Sequence, residues 1–173
     1  VAVVRSIRSS GTIYLFDTNQ SHGLVNDEYY RTQGWATVVP ILPPAGALDE
    51  TAGGSSLIER SRGIARTAFD RYPFEQNDVL IVFSSGGVSA APVEMALGAK
   101  ERGLTVISVQ STRSAPATAA GAIDLKLAEY ADFVIDTHLP GGSGPAWPDA
   151  AVIGAFILSG LLTEVKDVLA AGD

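Results

Sequence analysis

The 173-residue chain contains no cysteine. Disulfides, thiolate metal sites and cysteine nucleophiles are therefore excluded, and a reducing compartment is compatible with the sequence. Histidine is nearly absent too. With only His22 and His138, a three-histidine metal site cannot be built, and Asp17, Asp136 and His138 lack any ligand spacing that would define another one. Basic residues are in deficit, 12 Lys and Arg against 19 Asp and Glu, for a formal net charge of −7. Long-range attraction to nucleic acid or to an anionic membrane is thus disfavoured. A local nest of backbone N–H groups still attracts an anion at short range, whatever the global charge. No long hydrophobic run is present either. The stretch Ala150 to Leu162 is apolar but too short and too glycine-dotted to span a bilayer, which leaves a core or subunit-interface helix. Arg5 and Arg8 follow a very short apolar stretch, so no secretory signal is expected and a cytoplasmic location is.

What remains is a globular composition, with 46% hydrophobic and 18% charged residues. The length fits a single domain over residues 1–173, able to bury roughly 70% of its unfolded surface. Strand signals recur at Thr12–Phe16, Thr37–Ile41, Val79–Phe83, Leu104–Val109 and Phe133–Ile135. Most are near-continuous apolar runs, as parallel strands covered on both faces require. Helical patterns fall between them, in the spacing of βα units. The capping-box sequence Ser56-Leu57-Ile58-Glu59 opens a helix that should run to about Tyr72, before Pro73. Further helices are expected over Leu24–Gln33, Ala90–Arg102 and about Asp149–Ala170. The stretch Ala115–Tyr130 is interrupted by Gly121 and is ambiguous. The first half of the last helix is apolar around much of its circumference and needs burial on more than one side. Two loops, Pro43–Ser55 and Leu139–Pro148, are rich in glycine and proline, and the first is long enough to act as a flap.

The most informative stretch runs from Asp78 to Ser89, Asp-Val-Leu-Ile-Val-Phe-Ser-Ser-Gly-Gly-Val-Ser. A buried strand feeding a short turn into a helix aims N–H groups and the helix's positive end at whatever lies above the turn. Ser84, Ser85 and Ser89 add hydroxyl donors, and Gly86 and Gly87 allow close backbone approach. Capping alone would need fewer hydroxyls and glycines than these six positions hold. A phosphate group suits the combination. Ser111, Thr112 and Arg113, after the next strand, stand where they can complete the cradle. Two nucleotide and hydrolase motifs are absent. Gly53-Gly54-Ser55-Ser56 lacks the lysine and preceding strand of a P-loop, and no Gly-x-Ser-x-Gly elbow follows a strand.

Nearly the whole chain resembles the sugar isomerase (SIS) domain, and within it the phosphoheptose-isomerase-like proteins. The resemblance rests on SGTIYLFDTNQSH, on DVLIVFSSGGVSAAPVEMALGAKERGLTVISVQS and on ADFVID before a glycine-rich loop. It implies a three-layer α/β sandwich with a five-stranded parallel sheet in flavodoxin-like order. It also implies a homodimer or higher homo-oligomer, a phosphorylated sugar held by the serine loop, and no cofactor. Three departures stand out. Gly86 occupies the place of a second family serine, and Asp17-Thr18-Asn19-Gln20 replaces a glycine-rich first turn. Only Val1–Ser10 precedes the first strand, so the helical segment that relatives carry there is expected to be short or absent.

Aldose–ketose isomerisation needs a base to move a proton between adjacent carbons and an acid to serve the oxygens. By the resemblance, Asp27 matches the second of a pair of family glutamates, while Asn26 replaces the first and cannot act as a base. Glu28 is a reserve carboxylate, and either acid can instead pair with Arg31 in solvent. Ser21 and His22 match a family Ser-His, and His22 can transfer a proton near neutral pH. His138 reads as an ordinary loop histidine within reach of the same pocket. The expectation is a phosphosugar isomerase or related lyase, and the alternative is a phosphosugar sensor acting through a partner chain.

Overall fold

In the computed structural model, residues 1–17, 37–42, 58–113, 124–139 and 149–172 are described. Five strands form one sheet: β1 (Ile13–Phe16), β2 (Val38–Ile41), β3 (Val79–Ser84), β4 (Thr105–Gln110) and β5 (Phe133–Asp136). All pairings are parallel and the order is β2-β1-β3-β4-β5, the doubly wound order in which the reversal point lies between β1 and β3. The helices among these residues are α1 (Ala2–Arg8), α2 (Ile64–Phe69), α3 (Ala90–Glu101), α4 (Leu127–Tyr130) and α5 (Asp149–Ala171).

The continuous apolar runs resolve into two cores because side chains alternate across a sheet. On β3, Leu80 and Val82 join Tyr14 and Phe16 of β1 beneath α2, α3 and α4, in a cluster with Phe69, Met95 and Leu127. Val79, Ile81 and Phe83 point the other way, to Ile13, Leu15, Ile107 and Val109. That second cluster is closed by Val3 and Val4 of α1 and by Leu158, Leu162 and Val165 of α5. The twelve residues before β1 thus include a short helix that packs on the last one.

Two carboxylates, Asp78 buried and Asp132 exposed, fix the strand ends. Asp78 accepts the Thr12 and Glu75 N–H groups, each at 2.7 Å. Asp132 accepts the Val106 N–H at 2.8 Å and the Lys100 ammonium at 2.6 Å, which aligns the start of β5 with β4. Pro40 lies in β2, an edge strand of the described sheet, where a missing donor is tolerated. The Tyr72 hydroxyl binds this edge, donating to Pro40 O at 3.1 Å and accepting the Leu42 N–H at 2.8 Å.

One expected helix is corrected. The pattern from Ser56 to Tyr72 does not form a single rod: a helical turn at 58–60 stops, Gly63 adopts a left-handed φ of 80°, and α2 ends at Phe69. Glycine is the residue that takes this conformation without strain, so the chain bends there. Of the ambiguous stretch ending at Tyr130, the described part forms only α4, four residues long. The expected helix Leu24–Gln33 and both glycine-rich loops lie outside the described residues, apart from Leu139. In this chain α5 leaves Val152 65% and Phe156 80% exposed, so the burial expected on several sides is met on one.

Candidate functional site

The carboxyl edge of the sheet carries the polar residues. Ladder register sets Ser84 beside Gln110 and Gln110 beside Asp136, a row across three strands. At about 4.8 Å per strand, the row spans about 10 Å. On the other side of β3, Phe16 pairs with Val82, so Asp17 follows alongside Phe83 and is 2% exposed. Its carboxylate adds no attraction for a phosphate.

The turn after β3 is built from its own residues. Ser84 Oγ accepts the Gly87 N–H at 3.0 Å, in a buried bond that closes the turn. Gly87 has a φ of 66°, and a Cβ there would lie 2.0 Å from Gln110 Oε1. Both the conformation and the space therefore demand glycine. Gln110 is 4% exposed, and its Oε1 has no hydrogen-bond partner among the described residues. Two carbonyls of the turn are occupied by neighbouring segments: Ser85 O accepts the Ser111 N–H at 3.3 Å, and Gly87 O accepts the Leu127 N–H at 2.8 Å. Ser85 is exposed at the tip and Gly86 half-buried.

Ser89 precedes α3 as its cap residue, with φ −76° and ψ 147°, yet its side chain makes no capping bond. A capping serine normally accepts the N–H of the second or third helical residue, and the third here is Pro92, which has none. Its hydroxyl instead donates to Glu59 Oε1 at 2.8 Å.

The end of β5 is fastened differently. Asp136 accepts the Thr112 N–H at 3.2 Å, the Thr112 hydroxyl and the His138 N–H at 2.8 Å. His138 Nδ1 lies 3.2 Å from its other oxygen. The Thr112 hydroxyl, followed by the His138 N–H, holds the Asp136 carboxyl down at about 2. His138 takes a left-handed φ of 56°, uncommon outside glycine. Ser111 Oγ donates to Leu139 O at 2.5 Å and accepts the Arg113 N–H at 3.2 Å.

Of the residues expected to act, Ser84, Ser85, Gly86, Gly87, Ser89, Ser111 and Thr112 gather on this edge. Both Thr112 donors are taken by Asp136, and the Ser111 hydroxyl proton by Leu139. Ser21, His22, Asp27 and Glu28 lie outside the described residues. The sequence pattern missed Glu59 as a member of the turn's surroundings, while Gln110 was expected on this edge, at the start of the turn after the fourth strand. Glu59 registers there only as a capping-box residue, and Gln110 follows the last apolar position of its strand. Among the described residues no three His, Cys, Asp or Glu side chains gather as a metal site, and no helix is long and apolar enough to cross a membrane.

A parallel sheet in this order, with a serine–glycine turn beside its reversal point, defines a doubly wound α/β domain whose ligand edge lies at the strand carboxyl ends. The chain belongs to the SIS domain family, whose profile matches residues 1–111. A UPF0309 protein of Brucella anthropi is 36% identical over 162 residues, covering 88% of this chain and 66% of that protein. A UPF0309 protein of Brucella ovis is 34% identical over 172 residues, covering 94% and 70%. The chain thus spans about two thirds of the length of these relatives. Among solved structures, phosphoheptose isomerase GmhA from Neisseria gonorrhoeae shares the fold with a TM-score of 0.61 at 16% identity, over 96% of this chain and 82% of that one. The Vibrio vulnificus NanR protein complexed with ManNAc-6P gives 0.57 at 17% identity, over 98% of this chain and 52% of that one.

Proposed function

We propose that this protein binds a phosphorylated sugar at the carboxyl edge of the sheet and acts as a phosphosugar isomerase or related lyase. The observation that carries the reading is the Ser84–Ser89 turn, closed on itself by Ser84 and Gly87 with two of its carbonyls occupied by neighbouring segments. Ser84, Ser85, Gly86, Gly87 and Ser89 form the cradle. Ser111 and Thr112 support it by fastening the adjacent turn to Leu139 and Asp136. Asp27 and His22 are assigned the proton transfers, with Glu28 in reserve and Ser21 as a ligand contact. Such chemistry needs no redox cofactor. The likeness to a phosphoheptose isomerase and to a protein complexed with ManNAc-6P supports the ligand class.

A second reading is a sensor that binds without turnover. It is favoured by Asn26, which stands where the resemblance expects a glutamate. In either case we assign the exposed Val152 and Phe156 of α5 to a contact within a homo-oligomer.

Thermal unfolding against phosphosugars tests the site, each paired with its unphosphorylated sugar and with inorganic phosphate. A ligand at about 100 times its Kd adds roughly 2.7 kcal/mol, a rise of a few degrees in Tm for a domain of this size. A rise confined to one phosphosugar is expected, and assaying that compound for turnover then separates isomerase from sensor. No rise with any phosphorylated compound rejects the cradle.

A further inference from the structure

Glu59 is a carboxylate 8% exposed, carried by the helical turn at 58–60, and it accepts the hydroxyl proton of Ser89 at 2.8 Å. The arrangement has a cause in the sequence. Pro92 removes the N–H that a cap serine would ordinarily take, so the Ser89 side chain is released from α3 and turns to Glu59. A serine hydroxyl has one proton to give and lone pairs to offer. With that proton given to Glu59, Ser89 has only lone pairs to offer a ligand. An oxyanion needs donors, and it also meets the negative charge one hydrogen bond behind Ser89.

We infer that Glu59 is a positioning residue that lowers the affinity of the Ser84–Ser89 turn for a bare oxyanion by holding the Ser89 proton. This rests on the cradle reading above and sharpens it. The phosphoryl group is held by Ser84, Ser85 and the backbone, while Ser89 receives a hydroxyl of the ligand. The favoured ligand is a phosphate ester with a free hydroxyl near the phosphate, and inorganic phosphate is disfavoured.

Inorganic phosphate is the probe, titrated by phosphorus NMR into the parent chain, Glu59→Gln, Ser89→Ala and the double variant. Glu59→Gln keeps the shape, removes the charge and can donate its amide to Ser89, so phosphate should bind at least tenfold more tightly. Ser89→Ala in the parent should change phosphate affinity less than twofold, and in the Glu59→Gln background it should erase the gain. A merely structural Glu59 would yield no gain in affinity on substitution. Equal or weaker binding by Glu59→Gln overturns the inference. If Glu59→Gln does not fold, a loss of tenfold or more in Ser89→Ala alone overturns it equally, because Ser89 would then be donating to the anion in the parent, and an unchanged affinity supports it. Phosphosugar stabilisation of the parent alongside either overturning result would leave the cradle standing and reject only the role of Glu59. Absence of phosphate binding in all four proteins, with no phosphosugar shift, rejects both.

Discussion

Two turns leave the same edge of one sheet, about 10 Å apart, and they solve opposite problems. The turn after β3 is made of serine and glycine, and its one left-handed residue is Gly87. The turn after β5 centres on a carboxylate, and its left-handed residue is His138. In the first, the chain supplies donors and little negative charge of its own, except for Glu59 behind it. In the second, Asp136 already consumes the Thr112 and His138 donors that an external anion would need. Hydroxyl-rich turns at strand ends are thus not interchangeable. What distinguishes them is how many donors the protein's own carboxylates take: one hydroxyl, that of Ser89, at the first, against two N–H groups and a hydroxyl at the second.

The contrast can be broken most forcefully at Gly87. Gly87→Ala imposes a left-handed alanine, costing about 1–2 kcal/mol, and forces the buried Gln110 amide aside. A total loss of about 2–4 kcal/mol is expected in urea unfolding, together with loss of phosphosugar binding. Next is Ser84→Ala, which leaves the buried Gly87 N–H without its acceptor and should cost about 1–3 kcal/mol. At the other turn the effect depends on pH. The Asp136 carboxyl is held at about 2, below the ordinary carboxylate value of about 3.9. Its stabilisation is therefore complete above about pH 4 and is lost as the pH falls toward 2. The urea midpoint of the parent should drop across that interval more than that of Asp136→Asn. Smallest is His138→Gly, which relieves the left-handed backbone while giving up the Nδ1 contact. It should shift stability by less than about 1 kcal/mol.

All five strands were legible in the sequence, and the way their ends were misjudged is instructive. Apolar patterning ended the third, fourth and fifth strands at Phe83, Val109 and Ile135. The ladders each run one residue further, to Ser84, Gln110 and Asp136. Hydrophobicity marks what a strand buries, whereas backbone pairing continues to the residue that faces the ligand edge. The polar residues were therefore expected in the turns, whereas Ser84, Gln110 and Asp136 are the last paired residues of their strands. The long helix from Ser56 was misread because its apolar spacing outweighed Gly63, whose φ of 80° breaks it. Glu59 could not have been placed beside Ser89 from the sequence, since thirty positions separate them and the contact exists only in the folded chain.

The alternation along β3 has a consequence for how reliably the edge is assembled. Val79, Ile81 and Phe83 fill one core while Leu80 and Val82 fill the other. A slip of one residue against β1 or β4 would drive each set into the wrong compartment. The same slip would carry Ser84 out of line with Gln110 and point its hydroxyl to the opposite side. Misassembly of this edge is thus penalised by tens of buried atoms that lie away from it, and the two cores act together as a proofreader for a turn six residues long.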